Sequence, residues 1–129
     1  MKAFFKTYRA ALIWAAFILL LCGIPGKDLP NIDIWDINIE DKLAHMGVFG
    51  VLAFLAVWSM YRNPGTAVSI KNLIFLATLG AAYGGLTELL QGWLFPSRFA
   101  SISDFIADAI GMVLGTLFAN WYFSKQSNQ

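Results

Sequence analysis

Three short groups of polar residues stand in a chain that is otherwise strongly apolar. Their side chains are of the kinds that bind ions, hold phosphate groups or move protons. The first group is Asp41, Lys42 and His45, the second is Glu88 and Gln91, and the third is Arg98, Ser101, Asp104 and Asp108. Each group lies near one end of a long apolar segment. Because ionisable residues inside membrane helices are costly and usually functional, we expect a site wherever the groups meet.

The composition is that of an integral membrane protein. Of the 129 residues, 58% are hydrophobic and 13% are charged, whereas about a quarter of a soluble domain is charged. The net charge of +1 gives no strong field for a nucleic-acid partner, so we expect none. Membrane lipids are the expected partners, and the sequence leaves the oligomeric state open.

Four segments are long enough to cross a bilayer, which takes roughly 17–25 residues. They cover about residues 8–24, 43–61, 73–95 and 102–123. Proline and glycine end the segments, as in Pro25-Gly26 and Asn63-Pro64-Gly65. The sequence therefore predicts an all-α bundle of four transmembrane helices, forming one domain over residues 1–129 with an outer loop at about 25–42.

The distribution of Lys and Arg predicts the orientation. Six lie in the N-terminus, the second connection and the C-terminal tail, and three lie on the other side with five acidic residues. The positive-inside rule then puts both termini in the cytoplasm. We expect a multi-pass membrane protein whose loop 25–42 faces away from the cytoplasm. Within that loop, residues 31–40 alternate apolar and polar types, which favours an extended segment on the membrane surface.

Helical periodicity puts the polar residues on packed faces. At 100° per residue, Asp104 and Asp108 share an arc of the fourth helix with the small pair Gly111 and Gly115. A small-x-x-x-small pattern lets helix backbones approach closely. The third helix has a similar arc, which contains Gly80, Gly84, Thr87, Glu88 and Gln91.

The predicted topology brings the three groups to one membrane face. The second and fourth helices begin at the outer side and the third ends there. The segments that carry His45, Glu88 and Asp104 therefore converge on one outward-facing polar pocket. Capping of the second and fourth helices by Asp41 and Asp104 is the simpler alternative. It does not explain Glu88, which lies at the opposite end of its own helix.

The same residues resemble the VanZ-like family of small bacterial membrane proteins, over roughly residues 24–119. The shared motifs are Asp41-Lys42-x-x-His45, Glu88-x-x-Gln91 and Arg98-x-x-Ser101-x-x-Asp104-x-x-x-Asp108-x-x-Gly111-x-x-x-Gly115. This chain has Phe49 where the family often has Tyr, and Asp108 where it often has Asn. The family is associated with low-level resistance to teicoplanin, a glycopeptide that acts on cell-wall precursors. The resemblance thus implies a role in the cell envelope and a place in the bacterial inner (cytoplasmic) membrane. The polar site would then face the periplasm or the cell exterior.

The charges of the three groups leave two chemical readings open. With His45 neutral, four carboxylates and two cations sum to −2, which is unfavourable in a partly dehydrated pocket. Either some carboxylates stay protonated, or a divalent cation balances them. His45 with the carboxylates would suit a mixed nitrogen and oxygen metal site. No short metal motif is present, so no cofactor is certain and the metal ligands stay unknown.

We assign roles by side-chain type. His45, Glu88 and Asp104 are the catalytic candidates, as acids, bases or metal ligands, and Asp41 supports His45 at i, i+4. We assign substrate binding to a second set of residues. Together with the N-termini of the second and fourth helices, this set would hold an anionic lipid or a polyprenyl-linked precursor. That set is Lys42, Gln91, Arg98, Ser101 and Asp108.

Three function classes remain open on these residues. The first is a membrane hydrolase or transferase, or a lipid-binding protein, that acts on a lipid-linked phosphate. The second is a non-catalytic accessory protein whose polar residues are structural. The third is a small transporter. It is the weakest, because no chain of polar residues crosses the predicted bilayer.

Overall fold

A computed structural model of the protein has four α-helices in sequence, and the structure describes residues 2–22, 39–94 and 101–127. The helices are α1 (Lys2–Cys22), α2 (Ile39–Arg62), α3 (Ile70–Leu94) and α4 (Ile102–Ser127). All four are long enough and apolar enough to cross a membrane. The described ranges contain helices and turns but no strand. The predicted all-α bundle with four transmembrane helices is therefore confirmed, and the orientation of the termini stays a prediction.

Helix boundaries differ from the predicted ones mainly at the N-termini. α2 begins at Ile39, about one turn before the predicted start at Leu43, and its first turn contains Glu40 and Asp41. Acidic side chains are favourable there because they face the positive end of the helix dipole. The predicted outer loop 25–42 thus ends in helix. Its residues up to 38, and most of the predicted surface segment 31–40, lie outside the described residues.

α2 and α4 form the most extensive helix pair of the bundle. Their contact depends on glycine. A methyl group added at Gly111 would lie 2.3 Å from the carbonyl oxygen of Met46, and one added at Gly115 would lie 2.4 Å from that of Gly50. The small-residue pattern predicted from the sequence therefore brings α4 against α2 within one chain.

α3 packs beside α4 through the face that the sequence predicts. Its buried residues include Gly80, Gly84, Thr87, Glu88 and Gln91. Gly80 contacts the side chain of Met112, and Gly84 contacts that of Asp108. The glycines of α3 thus make room for side chains of α4.

α1 attaches to the other helices through two hydrogen bonds in its middle. The indole nitrogen of Trp14 donates to the carbonyl of Val48 over 2.9 Å, and the hydroxyl of Tyr83 donates to the carbonyl of Ala15 over 2.6 Å. Around these bonds, Phe49 and Met112 lie in an apolar core. Sequence reasoning did not identify either bond.

The outer surface of the bundle is apolar. Large side chains such as Ile13, Phe75 and Leu89 are each about two-thirds exposed. In water such a surface would be an aggregation hazard, but in a bilayer it faces the acyl chains. This surface agrees with a multi-pass membrane protein.

Candidate functional site

Six ionisable side chains meet at the end of the bundle where α2 begins, α3 ends and α4 begins. We call them the polar cluster. Its members are Asp41, Lys42 and His45 of α2, Glu88 of α3, and Asp104 and Asp108 of α4. The predicted convergence of three chain segments is thus present in the described structure.

His45 lies at the centre of the polar cluster. Its Nδ1 is 2.9 Å from Oδ1 of Asp108, and the two atoms share a hydrogen bond. Its Nε2 is 3.9 Å from Oδ1 of Asp41, one turn earlier on the same helix. The imidazole therefore lies between carboxylates on two helices, and its hydrogen bond with Asp108 fixes its orientation.

Asp108 is fully buried, with none of its surface exposed. Space for it exists because Gly84 lies opposite: a methyl group there would be 2.8 Å from Oδ2 of Asp108. Gly84 therefore makes room for the carboxyl group of Asp108. From the sequence, its position on the packed arc of α3 indicated only a role in helix packing.

Glu88 is 4% exposed, and its two carboxylate oxygens have different surroundings. Oε2 accepts a hydrogen bond from the backbone N–H of Ser101 over 3.0 Å. Oε1 faces Nδ1 of His45 at 3.8 Å, beyond hydrogen-bonding distance. Among residues 2–22, 39–94 and 101–127, neither Oε1 of Glu88 nor Oδ2 of Asp108 has a hydrogen-bond partner.

Ser101, not Asp104, caps α4. The hydroxyl of Ser101 accepts the backbone N–H of Asp104 over 3.3 Å, as an N-cap does with the third residue of its helix. In a capping box the third residue would return a bond to the backbone N–H of the cap. Here Glu88 takes that N–H, which releases the carboxylate of Asp104. The alternative that Asp104 and Asp41 are caps is wrong, since Asp41 lies inside the first turn of α2.

The released carboxylate of Asp104 pairs with Lys42. Lys42 Nζ donates to Oδ1 of Asp104, and both side chains are largely buried. Because Lys42 already has this partner, an anionic ligand would have to share it with Asp104. The predicted anion-binding role of Lys42 is thus constrained by an ion pair that the sequence did not identify.

The other residues that the sequence singles out either border the polar cluster or lie outside the described part of the chain. Gln91 is buried and donates to the carbonyl of Cys22 over 3.4 Å, which joins α3 to the end of α1. The hydroxyl of Thr87 donates within its own helix, to the carbonyl of Gly84. Arg98, predicted to bind an anion, lies outside the described residues.

Comparison with known protein families identifies the family of this chain. The family model described as VanZ/LLP1 matches residues 3–123, nearly the whole chain. The chain belongs to the VanZ/LLP1 family. The resemblance drawn from the polar motifs is therefore confirmed. Searches of the curated proteins and of the solved structures found no match.

The electrostatics of this VanZ/LLP1 protein set the chemistry of the polar cluster. Four carboxylates and one ammonium group sum to −3 when His45 is neutral. Such an excess is unfavourable in a dehydrated site unless protons or a cation compensate it. The described arrangement is therefore suited to holding protons, or a positive ion, between α2, α3 and α4.

Proposed function

We propose that this VanZ/LLP1 protein binds the anionic headgroup of a lipid or lipid-linked cell-envelope precursor at the polar cluster and cleaves or transfers it. The observation that carries the proposal is the meeting of His45, Glu88 and Asp108, three ionisable groups from three helices, inside a membrane bundle. A structural role would require each group to be satisfied, yet two buried carboxylate oxygens have no hydrogen-bond partner within the described ranges.

The level of the polar cluster along the helices supports a lipid ligand. Leu43 and Leu89 adjoin Lys42 and Glu88 in sequence, and they are 58% and 66% exposed. Acyl chains can therefore reach the depth of the polar cluster, while the cluster itself lies at the helix ends where headgroups begin. A phosphate carried on a lipid meets both conditions at once.

The expected reaction is transfer of a phosphate-linked group to water or a hydroxyl. The oxygen of the acceptor bonds to phosphorus, and the bond from phosphorus to the leaving oxygen breaks. A carboxylate or the imidazole of the polar cluster takes the acceptor's proton, and a protonated carboxyl returns one to the leaving oxygen. Arg98 and the ammonium of Lys42 would hold the phosphate oxygens.

One observation favours a second candidate, a non-catalytic accessory protein. The bonds from Lys42 to Asp104 and from His45 to Asp108 both link α2 to α4, the main helix pair. These contacts would strengthen the bundle even in a protein without activity. The two candidates differ in what Glu88 does, because its Oε1 makes no hydrogen bond to another helix in the part of the chain that the structure describes.

Lipid binding is tested by native mass spectrometry in mild detergent. Wild-type protein is incubated with phosphatidylglycerol or with undecaprenyl phosphate. We expect one of them to be retained, and expect Arg98→Ala to release it. Lys71→Ala removes an exposed cation at the other end of the bundle and should leave retention unchanged. Loss of lipid in both variants, or no retention by wild type, would contradict the site.

Turnover is tested on the same lipids and on undecaprenyl diphosphate, with chromatography of the products. We expect Glu88→Gln to lower the rate at least about a hundredfold, the lower end of the typical contribution of a positioned acid or base. Glu40→Gln makes the same chemical change at an exposed position of α2 and should keep the wild-type rate. Equal rates in the two variants would favour the accessory protein.

Glycopeptide tolerance is the cellular consequence that we propose. Expression of wild-type protein in a susceptible host should raise the teicoplanin concentration needed to stop growth, and Glu88→Gln should abolish the rise. An equal rise from both proteins would separate tolerance from the polar cluster.

A further inference from the structure

The geometry points to a divalent metal ion held by His45, Glu88 and Asp108, with one ligand from each of α2, α3 and α4. The ion would be a transition metal that accepts mixed nitrogen and oxygen ligands, such as Zn²⁺ or Mn²⁺. This inference deepens the proposed function and rests on it for its purpose, because a metal ion is what a lipid phosphate would bind in this acidic surrounding. The binding itself is argued from geometry and charge.

The donor atoms are already close to the spacing of a coordination sphere. The three residues each offer one ligand atom, and these atoms lie within 4.8 Å of one another. Nδ1 of His45 is 2.9 Å from Oδ1 of Asp108 and 3.8 Å from Oε1 of Glu88. Two ligands that are each about 2.1 Å from one ion are about 3.0–3.5 Å apart. Small side-chain movements would therefore suffice.

An independent observation is the state of the buried carboxylates. Glu88 is only 4% exposed. Its Oε1 faces His45 and has no hydrogen-bond partner in the described ranges. A buried oxygen without a partner is unfavourable, and more so when it carries charge. Metal coordination would satisfy this oxygen, whereas the hydrogen bond between His45 and Asp108 does not involve it.

The net charge favours a cation at the same point. The polar cluster sums to −3 in the described residues with His45 neutral, and a divalent ion reduces this to −1. The neutral imidazole is also the form that binds metals. A bound cation would weaken the repulsion between the acidic cluster and a phosphate and would offer the phosphate oxygens a positive centre to bind.

A second set of donors, Asp41, His45 and Asp104, is also close enough to hold an ion. It is the weaker site because the ammonium of Lys42 already occupies the carboxylate of Asp104. The set is also more exposed than Glu88 and Asp108. The inference therefore commits to the buried set.

Metal binding is measured by equilibrium dialysis of purified, tag-free protein in detergent with Zn²⁺ alone and with Mn²⁺ alone. We expect one ion per chain for at least one metal, and at least a tenfold weaker affinity in Glu88→Gln. The loss of an outer-shell partner alone typically costs 10–100-fold. Glu40→Gln should bind like wild type. No stoichiometric binding of either metal, or equal affinity in Glu88→Gln and wild type, would overturn the site.

A spectroscopic measurement on unmutated protein covers the case in which Glu88→Gln does not fold. The chain contains a single histidine. Electron spin-echo modulation of bound Mn²⁺, or of Cu²⁺ as a substitute, should show nitrogen-14 of a coordinated imidazole. Labelling histidine with nitrogen-15 should change that signal. Bound ion without any histidine-derived modulation would contradict coordination by His45.

The two proposals can fail separately. Metal dialysis contains no lipid, so its result does not depend on the substrate. Stoichiometric metal without lipid retention or turnover would keep the metal site and refute the proposed function. Lipid turnover by a protein that binds no stoichiometric metal in dialysis would refute the metal site and keep the proposed function.

Discussion

The close contact of α2 and α4 predicts opposite outcomes for the same substitution at two glycines. At Gly115, an added methyl group would lie 2.4 Å from the carbonyl oxygen of Gly50 and 2.9 Å from its Cα, whereas ordinary contact begins at 3.4 Å. Both atoms are backbone, so no side chain can move aside and the helices must separate locally by about 1 Å. At Gly47, nothing lies within 4 Å of the added methyl group.

Overpacking of this kind costs about 1–3 kcal/mol, and alanine returns up to about 1 kcal/mol of helix propensity. We therefore expect Gly115→Ala to lower the free energy of unfolding by up to about 2 kcal/mol, and to be about 1–3 kcal/mol less stable than Gly47→Ala, which gains the same propensity without the overpacking. Gly47→Ala should leave it unchanged or raise it by up to about 1 kcal/mol. The assay is reversible unfolding in mixed micelles with increasing SDS, followed by circular dichroism and tryptophan fluorescence. Equal stability of the two variants would refute the described α2–α4 contact.

Two further predictions concern the polar end of the bundle. In the same unfolding assay, a double-mutant cycle with Lys42→Met and Asp104→Asn should give a coupling free energy of about 0.5–3 kcal/mol. The reason is that these partly buried groups pair with each other. Additive effects of the two substitutions would mean that no pair forms. Ser101→Ala should lower the free energy of unfolding by about 1 kcal/mol, because it removes the cap of α4. Ser101→Asn keeps a capping oxygen and should restore most of the loss; equal loss in both would argue against capping.

Much of the fold could be predicted because its signals are local. Long apolar runs predict the four helices, and the spacing of Gly111 and Gly115 predicts a close helix contact. The sequence left open whether that contact lies within one chain, since a small-residue pattern does not name its partner. The predicted start of α2 at Leu43 is wrong by about one turn, because the prediction places Glu40 and Asp41 in the loop although their charge suits a first helical turn.

The convergence of the polar cluster could be predicted, but its pairings could not. Consecutive transmembrane helices alternate in direction, so the number of spans alone predicts which helix ends lie at the same membrane face. Which carboxylate reaches which cation depends on the rotation and shift of each helix. The bond from Lys42 to Asp104 and the one from His45 to Asp108 join residues more than 60 positions apart. The transfer of the capping role to Ser101 likewise depends on Glu88, which comes from another helix.

The central claim is that Glu88 serves function and not stability. It is tested most directly by the free energy of unfolding of Glu88→Gln against wild type, in detergent with a chelator so that no bound metal contributes. Glutamine keeps an oxygen for the N–H of Ser101 and removes the charge of a buried carboxyl group whose Oε1 has no hydrogen-bond partner in the described residues. The account predicts a stability equal to wild type or up to about 2 kcal/mol higher. A loss of more than about 1 kcal/mol would contradict it and make the polar cluster a structural element.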